Sequence, residues 1–207
     1  MRPDISNHLE IQNACLYRDD TLIFSDIDFH IGTGQHALIK GANGSGKTSL
    51  VRSICGFTEL SKGQISWNQR SIDDIDSSYR EKIAYLGHKN GLIYEISATD
   101  NLNMNPNISD LNGLEALITG FDLDLAMNKP VEFLSSGQAK KIALIGLILS
   151  RRSFWIMDEP FANLDDASKE FLSMKIDSHL QSGGMVIRTS NQGDLSQSLR
   201  LEIALES

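Results

Sequence analysis

Ten residues, GANGSGKTSL at 41–50, constrain this chain more than any other stretch. Gly41, four free positions and then Gly46-Lys47-Thr48 make the pattern G-x-x-x-x-G-K-[ST] of a loop that wraps phosphate. Glycines let successive backbone N–H groups turn inward, and a helix that starts at the loop adds the positive end of its dipole. The flanks supply the context: HALIK (36–40) reads as a short buried strand, and KTSLVRSICGF (47–57) carries Leu50, Val51 and Ile54 on one helical side. Strand, loop and helix in that order imply an α/β fold in which Lys47 reaches β- and γ-phosphates and the Thr48 hydroxyl binds Mg²⁺. Gly41, Asn43, Gly44, Ser45, Gly46, Lys47, Thr48 and Ser49 form the expected nucleotide-binding set.

The rest of the chain fits around that unit. HLEIQNACLY and SDIDFHIG alternate apolar and polar residues and read as half-buried strands separated by the polar turn at 18–20. GQISW, KIAYLGH, MVIRTS and LRLEIAL read as further strands, while residues from about 90 to 150 turn helical. Ser97, with Asp100 three residues on, is a helix start, and NGLEALITGF, SSGQAKKIALIGLIL and DDASKEFLSMKIDSHLQSGG supply three more helices. FWIMDE (154–159) is an apolar run ending in two carboxylates. Asp158 and Glu159 therefore sit at the C-terminal edge of a buried strand, where open α/β sheets bind ligands. Asp158 is expected to hold Mg²⁺ through water, completing a pair with Thr48, and Glu159, facing differently, can accept a proton from an attacking water.

Charge and composition exclude several classes. The chain of 207 residues has a formal net charge of −8 and no compensating basic tract, so no nucleic-acid footprint is present. Cys15 and Cys55 form no C-x-x-C pattern and read as small buried hydrophobes. MRPDISNHLEIQ contains no apolar h-region, so a secretory signal is not expected. The apolar run Ile142 to Leu149, bracketed by Lys140, Lys141, Arg151 and Arg152, falls short of the roughly 20 residues of a membrane helix and reads as a buried helix. No direct membrane span is expected.

LSSGQAKK (134–141) narrows the class. With the loop at 41–48 and FWIMDEPFANLD, the chain resembles the ATP-binding subunits of ABC transporters, whose signature L-S-G-G-Q lies between a helical subdomain and the Walker B strand. Serine 136 stands here for the first signature glycine. The resemblance implies a P-loop NTPase cassette: a RecA-like mixed sheet core, N-terminal antiparallel strands and an inserted helical subdomain. It implies one ABC ATP-binding domain over 1–207, with core at 1–88 and 151–207 and helical subdomain at 89–150. It implies that Ser135, Gly137 and Gln138 grip the γ-phosphate of an ATP held by a second copy, in a head-to-tail dimer that sandwiches two nucleotides. Asn163-Leu164-Asp165 matches the D-loop that crosses between copies, Tyr17 lies where an aromatic stacks on adenine, and His88 takes the position of the Q-loop glutamine beside the metal-bound or attacking water. Asn191 stands where a switch histidine is usual; its amide can donate to phosphate but carries no charge.

Within that family, YLGHKNGLIYEISATDNL (85–102) and the tryptophan before the carboxylates, Trp155, are similar to the haem exporter ATP-binding subunits of cytochrome c maturation. That resemblance implies a peripheral subunit on the cytoplasmic face of the bacterial inner membrane, docked on an integral membrane subunit. It also implies that ATP hydrolysis powers haem export or the release of a haem-loaded chaperone. Haem is involved only indirectly: no C-x-x-C-H is present, and His8, His30, His36 and His179 read as surface or structural residues. An ATP-binding subunit of a drug, lipid or lipoprotein exporter, a non-transport ABC protein and an ATP-gated scaffold with weak hydrolysis remain open alternatives.

Overall fold

Alternation in the first thirty residues builds an antiparallel ladder. The computed structural model, which describes residues 7–75, 77–191 and 201–205, pairs β1 (His8–Arg18) with β2 (Thr21–Gly32), and β1 also pairs with β4 (Lys62–Trp67). A short β5 (Arg70–Ser71), which the sequence pattern did not signal, completes a sheet of order β2-β1-β4-β5. Bulges interrupt the β1 register, one of them at Asn13, whose N–H donates to an Asp28 carboxylate oxygen at 2.8 Å.

The second sheet is parallel throughout. Its strands β3 (His36–Lys40), β6 (Ile83–Leu86), β7 (Phe154–Met157), β8 (Met185–Ser190) and β9 (Leu201–Ala204) run in the order β6-β7-β8-β3-β9. Parallel strands covered on both faces read as continuous apolar runs, which is why HALIK, FWIM and MVI lack alternation. The segment read as KIAYLGH is shorter as a strand: Arg80–Lys82 form a 3-10 turn and β6 stops at Leu86.

One apolar cluster lies between the two sheets and takes in Leu50, Val51 and Ile54 of α1 (Lys47–Ile54). A second cluster, on the opposite face of the parallel sheet, joins α2 (Ala98–Asn103), α3 (Leu114–Gly120), α4 (Ser136–Leu149) and α5 (Asp166–Gln181). Trp155, Met157 and Val186 look into this second cluster, where the Trp155 indole stacks on His179 with centroids 3.9 Å apart. Burial holds the His179 imidazole below its ordinary pKa, so the ring packs as a neutral aromatic. Both cysteines are free and buried, as their lack of a paired pattern implied.

Ser97 caps α2 by accepting from the Asp100 N–H at 3.0 Å, and the Asp100 carboxylate accepts from the Ser97 hydroxyl at 2.6 Å. Helix α4 is buried along nearly its whole length, and here the charged brackets read from the sequence need revision. Lys140 and Lys141 are buried with the apolar residues rather than flanking them in solvent. Among the described residues no helix is long and apolar enough to cross a membrane.

Candidate functional site

The strand order brings three strand ends together. The glycine loop leaves β3, Asp158 and Glu159 leave β7, and β8 lies between those two strands, so Thr189 at its end reaches both neighbours. A cleft of about 390 Å³ opens at this edge, lined by Asn43, Gly44, Gly46, Lys47, Thr48, Ser49, His88, Asp158 and Glu159 with Arg18 and Ile23. Nine positions selected from the sequence thus meet in one place.

The loop is shaped by its glycines. Gly46 precedes α1 with φ 94°, and a β-carbon there would lie 2.9 Å from the Ile23 side chain and 3.0 Å from its carbonyl oxygen. Lys47 is only 6% exposed, and its ammonium donates to the carbonyl oxygens of Gly41 at 2.8 Å and Ala42 at 2.9 Å. The Glu159 carboxylate stands 4.0 Å away. The Thr48 hydroxyl donates to Asp158 Oδ2 at 2.7 Å, closing a contact across 110 residues of sequence. Asp158 is buried, and its other oxygen accepts from the Thr189 hydroxyl at 2.6 Å. That same hydroxyl accepts from the Glu159 N–H at 2.9 Å. Glu159 has φ 48°, a left-handed backbone turn directly after Asp158.

Other selected residues lie elsewhere. Ser45 is buried beneath the loop and Gly41 packs on it, so neither lines the cleft. Tyr17, 44% exposed near the end of β1, stands outside the cleft while its neighbour Arg18 lines it. Asn191 is exposed and lines a second cleft of about 510 Å³ with Asn163, Leu164, Lys169 and Arg188; Glu159 is common to both clefts. The segment 134–138 and Asp165 are separate from the cleft residues. Ser135 caps α4 by accepting from the Gln138 N–H at 3.1 Å, and the Gln138 side chain accepts from the Ser135 N–H at 3.0 Å. Gln138 therefore completes a capping box and fixes the start of the helix.

Several residues in this region were not singled out from the sequence. Thr189 was read only as part of a strand, yet it joins both carboxylate residues. Asn101 is buried and clamps the loop before α2: its carbonyl accepts from the Ile93 N–H at 2.7 Å, and its amide donates to Ile93 O at 2.8 Å and Ser97 O at 3.0 Å. A groove of about 380 Å³ runs beside that loop, with Leu92, Ile93 and Met104 among its walls. Under the second cleft, Arg188 is buried, donates from Nε to His36 Nε2 at 3.0 Å and lies over the Phe161 ring at 5.0 Å. Burial, reinforced by the Arg188 charge, drops the His36 pKa to about 3, and burial lowers that of Arg188 to about 10.

The family model for ABC transporters matches residues 24–162, a span that holds the glycine loop, the 134–138 segment and both carboxylates. The chain belongs to the ABC transporter ATP-binding family. This ABC cassette is 35% identical to a cytochrome c biogenesis ATP-binding export protein, CcmA, of Histophilus somni, over 90% of this chain and 88% of that one. It is 37% identical to CcmA of Cupriavidus necator, over 82% and 77% of the two chains. Among solved structures, a putative ABC transporter ATP-binding protein from Pyrococcus furiosus superposes with a TM-score of 0.80 at 24% identity, covering 96% of this chain and 97% of that one. The ABC fold expected from the sequence is thus the fold observed, with the antiparallel strands gathered in a sheet of their own.

Proposed function

We propose that this ABC cassette is the ATP-hydrolysing subunit of an export complex of cytochrome c biogenesis. The ATPase half of the reading rests on one observation, the meeting of Lys47, Thr48, Asp158 and Glu159 in one cleft with Thr48 and Asp158 already in contact at 2.7 Å. The biogenesis half rests on the relatives named CcmA and on the resemblance of residues 85–102.

In this reading Lys47 exchanges its two carbonyl partners for β- and γ-phosphate oxygens of ATP, the glycine loop having held the ammonium in place beforehand. Thr48 through its hydroxyl, and Asp158 through water, would hold Mg²⁺, an ion that hard oxygen donors suit. The ion, when bound, neutralises charge on the phosphates. Glu159 orients or deprotonates the attacking water, and exposed His88 at the cleft rim hydrogen-bonds to a water there. The task is positioning and electrostatics rather than covalent chemistry. Tyr17 stacks on the base, with Arg18 beside it at the cleft. Ser135 and Gly137 of a second copy, on the helix start that Gln138 squares off, close on the γ-phosphate, and Asp165 lies on the segment that crosses between copies. The 89–150 block, through the loop clamped by Asn101 and the groove beside it, carries nucleotide-driven closure to an integral membrane subunit at the cytoplasmic face of the inner membrane.

Purification of the complex from membranes tests the reading. A membrane subunit should co-purify, and ATP should release a bound haem protein that a non-hydrolysable analogue retains. Co-purification with a drug, lipid or lipoprotein transporter would replace the biogenesis assignment. A second reading, an ATP-gated scaffold with weak turnover, draws on Asn191, which is uncharged and lines the neighbouring cleft instead of the phosphate cleft. Under that reading Asn191→His raises turnover by about tenfold or more, the size of regaining a preorganised donor; unchanged turnover removes it.

A further inference from the structure

The hairpin joining β1 to β2 turns a guanidinium toward the phosphate cleft. Side chains alternate along a strand, so Arg18 lies on the same face as Leu16, and Tyr17 lies on the other. Leu16 is buried in the cluster between the two sheets, Tyr17 is 44% exposed, and Arg18 forms part of the cleft wall. A bulge in β2 falls at the same point. Leu16 pairs with Phe24 and Tyr17 with Leu22, so Ile23 is an extra residue with no partner on β1. Ile23 presses instead on Gly46, where a β-carbon would meet its Cγ2 at 2.9 Å, and it too lines the cleft. The hairpin is thereby seated on the turn where the glycine loop enters α1. Its other flank is pinned as well: the Tyr17 N–H donates to the Ser61 hydroxyl and the Ser61 N–H to the Cys15 carbonyl, both at 2.9 Å.

The charges of the cleft give this placement a consequence. Two cations, Lys47 and Arg18, and two carboxylates, Asp158 and Glu159, line it. Lys47 is held by two loop carbonyls and stands 4.0 Å from Glu159, which marks the γ-phosphate end in the reaction proposed above. Arg80, Arg151 and Arg152 are each tied to an oxygen of another residue. Among the described residues nothing pairs with the Arg18 guanidinium. In a chain of net charge −8, a polyanion depends on such local cations. A planar guanidinium fork matches two phosphate oxygens at once. Arg18 is hung, through Ile23, from Gly46, on the stretch of loop whose backbone N–H groups face the α- and β-phosphates.

We propose that Arg18 is a nucleotide-binding residue that holds the α- and β-phosphates from the hairpin side. The assignment rests on the ATP-hydrolysing reading above and adds to it a phosphate contact that does not depend on the base.

The test is displacement of a fluorescent ATP analogue from the full chain by MgATP, MgADP and inorganic tripolyphosphate, with steady-state turnover of the purified complex. Arg18→Gln should weaken all three by about tenfold or more, the size of one charge-assisted hydrogen bond, since all three carry adjacent phosphates and one has no base. Arg18→Lys, which keeps the charge without the fork, should recover part of the loss. In turnover the loss should raise KM rather than lower kcat, because the contact is the same in the ground state and the transition state. Arg18 is exposed, so both variants should fold as the wild type does. Unchanged MgATP affinity in Arg18→Gln overturns the proposal. Weakened MgATP with unchanged tripolyphosphate also overturns it, by moving the contact to the base, as does a wild-type chain that tripolyphosphate cannot displace from the analogue. A wild-type chain that binds no MgATP overturns the ATP-hydrolysing reading itself.

Discussion

Replacing Thr189 by valine removes one hydroxyl and almost no volume, at the point where three strands of the parallel sheet converge. That hydroxyl is buried and makes two hydrogen bonds: it donates to Asp158 at 2.6 Å and accepts from the Glu159 N–H at 2.9 Å. Valine keeps the β-branched shape that suits a strand, so packing should hold. What is lost is a bond to a buried carboxylate, worth roughly 1.5–3 kcal/mol, and a bond to a partly buried amide, worth about 1 kcal/mol. The variant should therefore unfold with a stability lower by about 2–4 kcal/mol in urea denaturation. Turnover should fall further than ATP affinity does. Lys47 and the glycine loop are untouched, whereas Asp158 loses the bond that orients it opposite Thr48, and loss of such an orienting partner typically lowers metal-dependent activity by about 10–100-fold. Thr189→Ser, which keeps the hydroxyl, should recover most of the rate. A valine variant with stability within about 0.5 kcal/mol of wild type and normal turnover would refute the reasoning, since surface-like tolerance is incompatible with that network.

Glu159→Gln keeps the loop and Thr48–Asp158 intact, so it should bind ATP normally and trap a two-chain species in size-exclusion chromatography; hydrolysis at the wild-type rate would remove Glu159 as the base. Stability should fall with acid through His36: its folded pKa is about 3 against about 6.5 unfolded, so below pH 6.5 the unfolded chain takes up a proton that the folded chain refuses, costing about 2 kcal/mol by pH 5. His36→Gln, which can still accept from Arg188, should flatten that slope, His179 leaving a residual one in the same direction. Asn101→Ala should speed hydrogen exchange at Ile93 and lower stimulation by the membrane subunit while ATP binding stays normal; unchanged exchange at Ile93 would show that the clamp is not limiting.

What could be read from the sequence was what the chain encodes locally. Gly41 to Thr48 declares itself because loop, helix start and phosphate donors are consecutive, and FWIM-Asp158-Glu159 because a buried strand has to surface in polar residues. The partners that complete those groups follow from strand order, which no local pattern carries. Thr189 matters because β8 lies beside β7, a neighbour relation between residues 30 apart in sequence. Lys140 and Lys141 were read by the rule that lysines flank a buried helix; that rule fails for Lys141 because its covered stem brings the ammonium to an exposed carboxylate of another element, Asp165. His8 and His30, with no paired spacing in sequence, lie with ring centroids 5.6 Å apart because their strands pair antiparallel.

The position of β8 also limits how this machine can move. The strand carrying Thr189 is hydrogen-bonded along its length to β3 on one side and β7 on the other, register by register from His36 and Phe154 onward. The loop that surrounds Lys47 and the turn that presents Asp158 cannot separate unless that middle strand is unzipped. The phosphate seat behaves as an anvil. Any stroke triggered by nucleotide must be delivered by the parts hung from its rim: the Asn101-clamped loop, the head of α4, and the chain segment that follows Glu159.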